Sequence, residues 1–283
     1  MKPLIKWAGG KSGEIKNIEK MIPPYDRYFE PFFGGGALYF DLKPQKAFIN
    51  DITKEIIDFY KYIQNGKRKQ FKKELYKYVK YWGRINVYIK EFGNLILEVY
   101  NKYKEEKINE DNFNRQINDL FVKNIVPFNG LFSDEFAVDK EELSKKIQQN
   151  LIDKLNRIKN IVDKDNNFSD KGIISNIETA FRSGFYIHFR DLMNKCNKKF
   201  VKISKERAIA NYYFVREFCY GGMFRFNRQG DFNIPYGGIA YNKKDFDKKV
   251  KHIFSKEVRK LLKRTVIKNM DFEQFLKKYK PST

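Results

Sequence analysis

The chain has 283 residues, of which 57 are Lys or Arg and 35 are Asp or Glu, for a formal net charge of +22. That length holds one large domain or two small ones with enough apolar content for a core, and the charge points to a polyanion partner such as a nucleic acid. No apolar run approaches the ~18 residues of a membrane span, and the first residues read as a strand rather than a charged-then-apolar leader. Cys196 and Cys219 show no zinc spacing, and His188 and His252 stand apart from any metal-like cluster, so the chain reads as cytoplasmic, with free thiols.

The short apolar start Pro3-Leu4-Ile5 predicts a strand, followed by the glycine motif Lys6-Trp7-Ala8-Gly9-Gly10-Lys11. Residues 13–21 read as a helix, with Ile15, Ile18 and Ile22 at helical spacing, stopped by Pro23-Pro24. The organising stretch comes next. In Tyr28-Phe29-Glu30-Pro31-Phe32-Phe33-Gly34-Gly35-Gly36-Ala37-Leu38-Tyr39-Phe40, an apolar run ends at an acid, glycines follow, and a helix-competent run begins. The pattern predicts a strand, a tight turn and a helix. The glycines let the backbone approach a ligand, and the helix start offers unpaired N–H groups. A phosphate cradle calls for Lys after the glycines, whereas Ala37 follows here. An acid before the glycines suits a nucleoside carrying a cationic group.

Phe48-Ile49-Asn50-Asp51 predicts a second strand, ending in an acid 17 residues after Gly34. That is where the next strand of a doubly wound sheet presents a carboxylate to ribose hydroxyls. A helix then carries Ile52, Ile56, Phe59, Tyr60 and Ile63 on its apolar face and ends at Asn65-Gly66.

Residues 67–205 are basic and mostly helical in pattern. Phe71, Leu75, Tyr78 and Tyr81 form one core stripe, and Leu143, Ile147, Leu151, Leu155 and Ile158 form another. The Lys run in residues 67–80 reads as a solvated face. A turn is expected at residues 127–132, a polar loop at 163–172 and an aromatic-rich helix at 177–194. A helix over residues 208–220 carries Tyr212, Tyr213, Val215 and Phe218.

Residues 220–237 alternate polar and apolar around Gln229-Gly230, which predicts a hairpin. Arg225, Asn227, Arg228 and Asn233 are donors suited to base edges and phosphates, interleaved with aromatics that can wedge or stack. A basic helical stretch covers residues 243–262. Residues 265–272 read as a strand ending in Asp271-Phe272, a carboxylate and an aromatic that could together hold an adenine. A last helix covers residues 272–279.

Three of these elements, Lys6 to Lys11, Glu30 to Gly36 and Asn50-Asp51, together resemble the adenine-N6 DNA methyltransferases of the Dam type, with motifs in alpha order. Those enzymes carry K-W-x-G-G-K, E-P-F-x-G-x-G and then N-D or A-D. The segment Tyr220-Gly221-Gly222-Met223-Phe224-Arg225-Phe226-Asn227 through Phe232-Asn233-Ile234-Pro235-Tyr236-Gly237 is similar to the family's target-recognition pattern Y-N-G-x-x-R-x-N-x-x-G-x-F-N-x-P-x-G. It departs from that pattern at Gly221, where the family usually has the Asn associated with the gap left by a flipped base.

The resemblance implies an α/β fold. A Rossmann-like S-adenosylmethionine-dependent methyltransferase sheet would be built from residues 1–66 and 200–283, with a recognition hairpin at about 220–241 and a helical insertion at 67–199. It implies direct methyl transfer to adenine N6 in double-stranded DNA, without metal. Trp7, Lys11, Asp51, Asp271 and Phe272 would contact S-adenosyl-L-methionine, with Glu30, Gly34, Gly35 and Gly36 forming the turn beneath it. Lys6, Tyr220, Arg225, Asn227 and Pro235 would contact DNA.

The family's D-P-P-Y or N-P-P-Y loop, which grips the target amino group and stacks on the extruded base, has no match after Asp271. Ile22-Pro23-Pro24-Tyr25 lacks the acid, and Asn124-Ile125-Val126-Pro127-Phe128 has the wrong spacing. Asn233-Ile234-Pro235-Tyr236 is similar to the loop of ribosomal-RNA adenine dimethyltransferases but does not follow a buried strand. The sheet is therefore expected to be incomplete, with an open edge, and no catalytic residue is assigned. The chain alone is expected to be inactive or weak, its loop supplied by a second polypeptide or a lost C-terminal part. The alternatives are a non-catalytic DNA-binding protein and an rRNA methyltransferase using residues 233–236.

Overall fold

The structure is a computed structural model that describes residues 1–65, 67–123, 132–162 and 168–279. Most of the turn expected at 127–132, the first half of the loop at 163–172, the 124–128 segment and Gly66 lie outside the described residues.

Three short strands form a parallel sheet in the order β1 (Tyr28–Glu30), β2 (Ala47–Asn50), β3 (Thr265–Lys268). Strand alternation puts Tyr28, Ala47, Ile49, Thr265 and Ile267 on one buried face. Phe29 and Phe48, paired in register, stack on the other face with ring centroids 4.8 Å apart. The buried face is closed by α2 (Ala37–Leu42) and α3 (Lys54–Gln64), and α3 also packs against α9 (Lys205–Phe218) and α11 (Lys256–Lys263). The core there is aromatic: Phe33, Tyr39, Phe40, Phe59, Tyr60 and Tyr213 are buried, and Phe59 stacks on Tyr213 at 5.1 Å. Tyr39 and Thr265 share a hydrogen bond of 2.7 Å, so these two hydroxyls carried inward are satisfied.

The chain divides into two compact units. One comprises Met1–Tyr76, Val201–Arg225 and Asp245–Thr283, and the other Lys77–Phe200 and Phe226–Lys244. The sheet belongs to the first, together with α1 (Ile15–Glu19), α10 (Phe246–Ile253) and α12 (Phe272–Lys278). The second is helical, holding most of α4 (Arg68–Lys104), then α5 (Glu110–Lys123), α6 (Asp134–Ala137), α7 (Lys140–Val162) and α8 (Asp170–Asn197). Both expected stripes, Phe71 to Tyr81 and Leu143 to Ile158, are buried as core. His188 is buried with Nε2 on the Ala137 carbonyl at 2.8 Å, a structural histidine, and neither cysteine is in a disulfide. Residues 226–244 group with the helices, and the unit boundary falls inside α4, since a 37-residue helix passes from one core to the next.

Several expectations give way to tertiary context. Leu4 and Ile5 form no strand; they are buried side chains on a bent segment, so apolar character reported burial and not pairing. The helix expected at 13–21 shrinks to Ile15–Glu19 and buries no residue, leaving nothing to reinforce it. Ile52 is 74% exposed because α3 starts only at Lys54. The basic stretch after Lys243 is two helices, broken at Phe254-Ser255 where Ser255 caps α11.

The expected hairpin at 220–241 forms no strand ladder; Phe226 and Phe232 pair in an isolated antiparallel bridge. Its backbone groups go elsewhere. Asn194 on α8 donates to the Phe232 carbonyl at 3.0 Å and accepts from the Phe232 amide at 2.9 Å, and Tyr186 donates to the Ile234 carbonyl at 2.9 Å. Helix side chains thus satisfy the groups that a partner strand would have used.

Candidate functional site

In the sheet unit, the carboxyl ends of all three strands meet, the place where an open parallel sheet binds ligands. β1 runs into the turn at residues 31–36, and α2 begins after Gly36. Gly34 takes φ +48°, and a Cβ there would lie 2.6 Å from the Trp7 indole, so the turn and the Lys6-Trp7 segment touch in a way only glycine permits. From β2, Asp51 reaches back. One carboxylate oxygen accepts the Gly34 amide at 2.8 Å and the other the Thr53 amide at 2.8 Å. The Asp51 side chain is buried and committed to shaping the turn, with its remaining lone pairs available to hydroxyls.

Two amide side chains, Asn50 of the Asn50-Asp51 motif and Asn269, to which sequence reasoning gave no role, tie the strand ends together. Asn50 donates to the carbonyls of Pro31 at 3.2 Å and Met270 at 2.9 Å and accepts from the Met270 amide at 3.0 Å, spanning β1 and β3. Asn269 donates to the carbonyls of Asp51 and Ile52 at 2.7 and 2.9 Å. Their signal lay in position, an amide side chain at the end of a buried strand, but only the register shows what each one reaches.

Glu30 sits half-buried at the end of β1 and accepts the Tyr28 hydroxyl at 2.7 Å. Burial pushes its carboxyl up to about 7, the Tyr28 bond opposes this, and the nearby Asp51 charge adds to it. β3 ends at Lys268, three residues before the expected Asp271-Phe272 end. Asp271 instead caps α12, accepting the Glu273 and Gln274 amides at 2.8 and 3.4 Å, and an N-cap carboxylate is more useful to a helix than to one more strand residue. Phe272 is 40% exposed and lies 5.1 Å from the ring of Phe32, itself 70% exposed.

Trp7, Glu30, Gly34, Gly36 and Asp51 therefore cluster around one turn, and Asp271 and Phe272 flank it through Asn269 and Phe32. Lys11 is exposed, its amine donating to the Gly9 carbonyl at 3.0 Å.

Of the residues expected to meet DNA, Lys6, Tyr220 and Arg225 belong to the sheet unit, and Asn227 and Pro235 to the helical unit. Tyr220, Arg225, Asn227 and Pro235 are exposed. Asn227 differs from a free base reader: its side-chain oxygen accepts the Gln229 and Asp231 amides at 3.0 and 2.9 Å and so closes the loop tip. In the segment 233–236, Ile234 and Tyr236 are buried, and the Tyr236 hydroxyl donates to Asn242 at 2.9 Å. That segment is core packing and not an open loop.

A family model described as D12 class N6 adenine-specific DNA methyltransferase matches residues 7–181 and 135–283. The chain belongs to this family. Among its relatives, a Type II methyltransferase, M.MjaIII, of Methanocaldococcus jannaschii is 25% identical over 284 residues, covering 96% of this chain and 63% of its own. The Type II methyltransferase M1.LlaDCHI of Lactococcus lactis subsp. cremoris is 45% identical over 67 residues, 23% of this chain and 24% of its own. The DNA adenine methylase of Escherichia coli (strain K12) is 26% identical over 134 residues, covering 45% and 41%. In each case the chain spans less than two thirds of the relative's length. The α/β architecture with a small parallel sheet agrees with the methyltransferase family, and no helix among the described residues is long and apolar enough to cross a membrane.

Proposed function

We propose that the chain is the cofactor-binding and DNA-reading part of an adenine-N6 DNA methyltransferase that uses S-adenosyl-L-methionine and acts in the cytoplasm on double-stranded DNA. The observation that carries this reading is the convergence of the Trp7 indole, the Gly34 turn and the Asp51 carboxylate at the ends of parallel strands, in a D12-family chain.

The residues fit such a cofactor. A turn without side chains leaves room for a nucleoside, exposed Phe32 and Phe272 offer ring faces to an adenine, and the acids Glu30, Asp51 and Asp271 suit hydroxyls and a sulfonium. When bound, it supplies an electrophilic methyl group. The chain's own part is to hold and orient it: Trp7, Lys11, Asp51, Asp271 and Phe272 by contact, and Glu30, Gly34 and Gly36 by shaping the turn. Lys6, Tyr220, Arg225 and Pro235 would contact DNA, with Asn227 closing the tip of the loop at residues 227–231. The sheet unit is then the methyltransferase core and the helical unit the inserted subdomain, to which residues 226–244 add the recognition segment.

Residues 1–283 contain no D-P-P-Y loop. In this reading the grip on the target amine comes from a second polypeptide. Calorimetry with the cofactor analogue sinefungin tests the binding half, where a measurable Kd is expected and no heat at millimolar analogue sinks the reading. A methylation assay on duplex DNA tests the other half. Transfer is expected to be weak or absent with residues 1–283 alone, and robust turnover by them refutes the need for an outside loop.

A further inference from the structure

The sequence offers no reason to single out Arg216, one Arg among the Lys and Arg of a basic chain near the end of α9. In the structure it is 1% exposed, and its guanidinium is held by backbone from two distant parts of the sheet unit. It donates to the carbonyl of Gly222 at 2.6 Å, of Met223 at 2.7 Å and of Lys6 at 3.3 Å, and to the Cys219 sulfur at 3.6 Å. Its carbon centre lies 3.6 Å from the centroid of the Phe224 ring and 5.8 Å from that of Trp7. Trp7 and Phe224 themselves meet edge to face at 4.5 Å. Gly222 closes the same contact: it has φ +67°, and a Cβ there would stand 3.3 Å from the Lys6 Cβ.

A continuous set of contacts follows. The Asp51 carboxylate holds the Gly34 amide, Gly34 lies against the Trp7 indole, Trp7 meets Phe224, and Arg216 clasps Phe224, Gly222, Met223 and Lys6. At the far end of this set, Tyr220, Met223, Phe224 and Arg225 are exposed. We infer that Arg216 is a positioning residue that fixes the 220–225 loop on the Lys6-Trp7 segment, so that occupancy of the glycine turn and occupancy of the loop influence one another. This rests on the reading above, in which the turn takes the cofactor and the loop meets DNA. Only arginine suits the task. Its planar fork directs several N–H donors at once and presents a face to a ring, whereas lysine has a point charge and no plane.

Coupling of this kind is reciprocal, so it is measured from either ligand. In a Trp82→Phe background, Trp7 is the remaining tryptophan and reports directly from the joint. Duplex DNA is expected to change Trp7 fluorescence, and sinefungin to shift duplex Kd by about fivefold or more. Arg216→Lys and Arg216→Met are expected to bring that factor close to one and to abolish the DNA-dependent Trp7 signal. Sinefungin affinity measured without DNA should change by less than about threefold, because the coupling and not the turn itself is altered.

A variant that folds, as judged by circular dichroism, and keeps both the coupling and the signal overturns the inference. So does the absence of any coupling in the unaltered protein when both ligands bind. If neither ligand binds the unaltered protein, the functional reading fails and this inference with it. Amide exchange in residues 220–225 of the unaltered protein gives an independent check should both variants misfold. Slower exchange on adding sinefungin supports the joint, and unchanged exchange overturns it.

Discussion

In the turn at residues 31–36, the polar side chains around the ligand-facing backbone are largely committed to that backbone. Asp51 holds Gly34 and Thr53, Asn50 holds Pro31 and Met270, and the Tyr60 hydroxyl donates to Gly35 at 3.2 Å. The loop at residues 220–232 is held differently, with Asn227 closing its tip. Phe226, Asn227, Arg228 and Gln229 are exposed, and the loop is gripped at its two ends, by Arg216 on one side and Asn194 on the other. The first region has its backbone pinned in one shape, as the proposed small-ligand site requires. The second leaves Phe226, Asn227, Arg228 and Gln229 exposed, as the proposed DNA-reading role requires. A carboxylate near a glycine turn is thus not automatically a ligand contact, since its first task here is to hold the turn.

Removing a turn anchor should have the largest effect. Asp51→Ala strips a carboxylate from two amides, one of them buried, and should destabilise the protein by about 3 kcal/mol or more. Denaturant unfolding measures it. A loss below about 1 kcal/mol would mean that the turn holds itself and that Asp51 serves the ligand instead.

Glu30 comes next. Its carboxyl stands near 7 in the fold against an ordinary 4.5, so the folded state binds the proton more tightly. Its contribution is full below about pH 4.5 and is lost as pH rises through 7, by at most about 3 kcal/mol. The Glu30→Gln variant should show a flatter stability profile between those limits. An unchanged profile would place the ionised carboxylate in a better-solvated setting than the half-buried one described.

The smallest effect belongs to the loop. Asn194→Ala removes the two hydrogen bonds to Phe232 and should cost about 1–2 kcal/mol globally. Amide exchange of residues 226–236 should rise more than elsewhere. Uniform exchange across the helical unit would show that the loop and the helices open together and would erase the contrast drawn here.

Much of this was legible in the chain. The glycine turn, the acid at the end of β2, the helical segment from 67 to 205 and its two core stripes all follow from periodicity and turn chemistry. The joints were not legible. Arg216 read as one more basic helix residue, Asn194 as an ordinary polar helix residue, and Asn50 as part of a dipeptide chosen for its neighbour. Each acts on backbone groups far away in sequence: Arg216 on Lys6, Asn194 on Phe232, Asn50 on Met270. Alternation at 220–237 suggested paired strands, and the helices took the hydrogen bonds instead.

By itself, the sequence determined the strand, turn and helix around Gly34 and the strand that ends before Asp51, because local sterics and apolar spacing act over a few residues, whereas the strand expected at Pro3-Leu4-Ile5 did not form. Only the tertiary structure decided which polar side chains anchor backbone far away in the chain. A buried amide or carbonyl must find a partner wherever the fold brings one, and that choice depends on neighbours tens to hundreds of residues away.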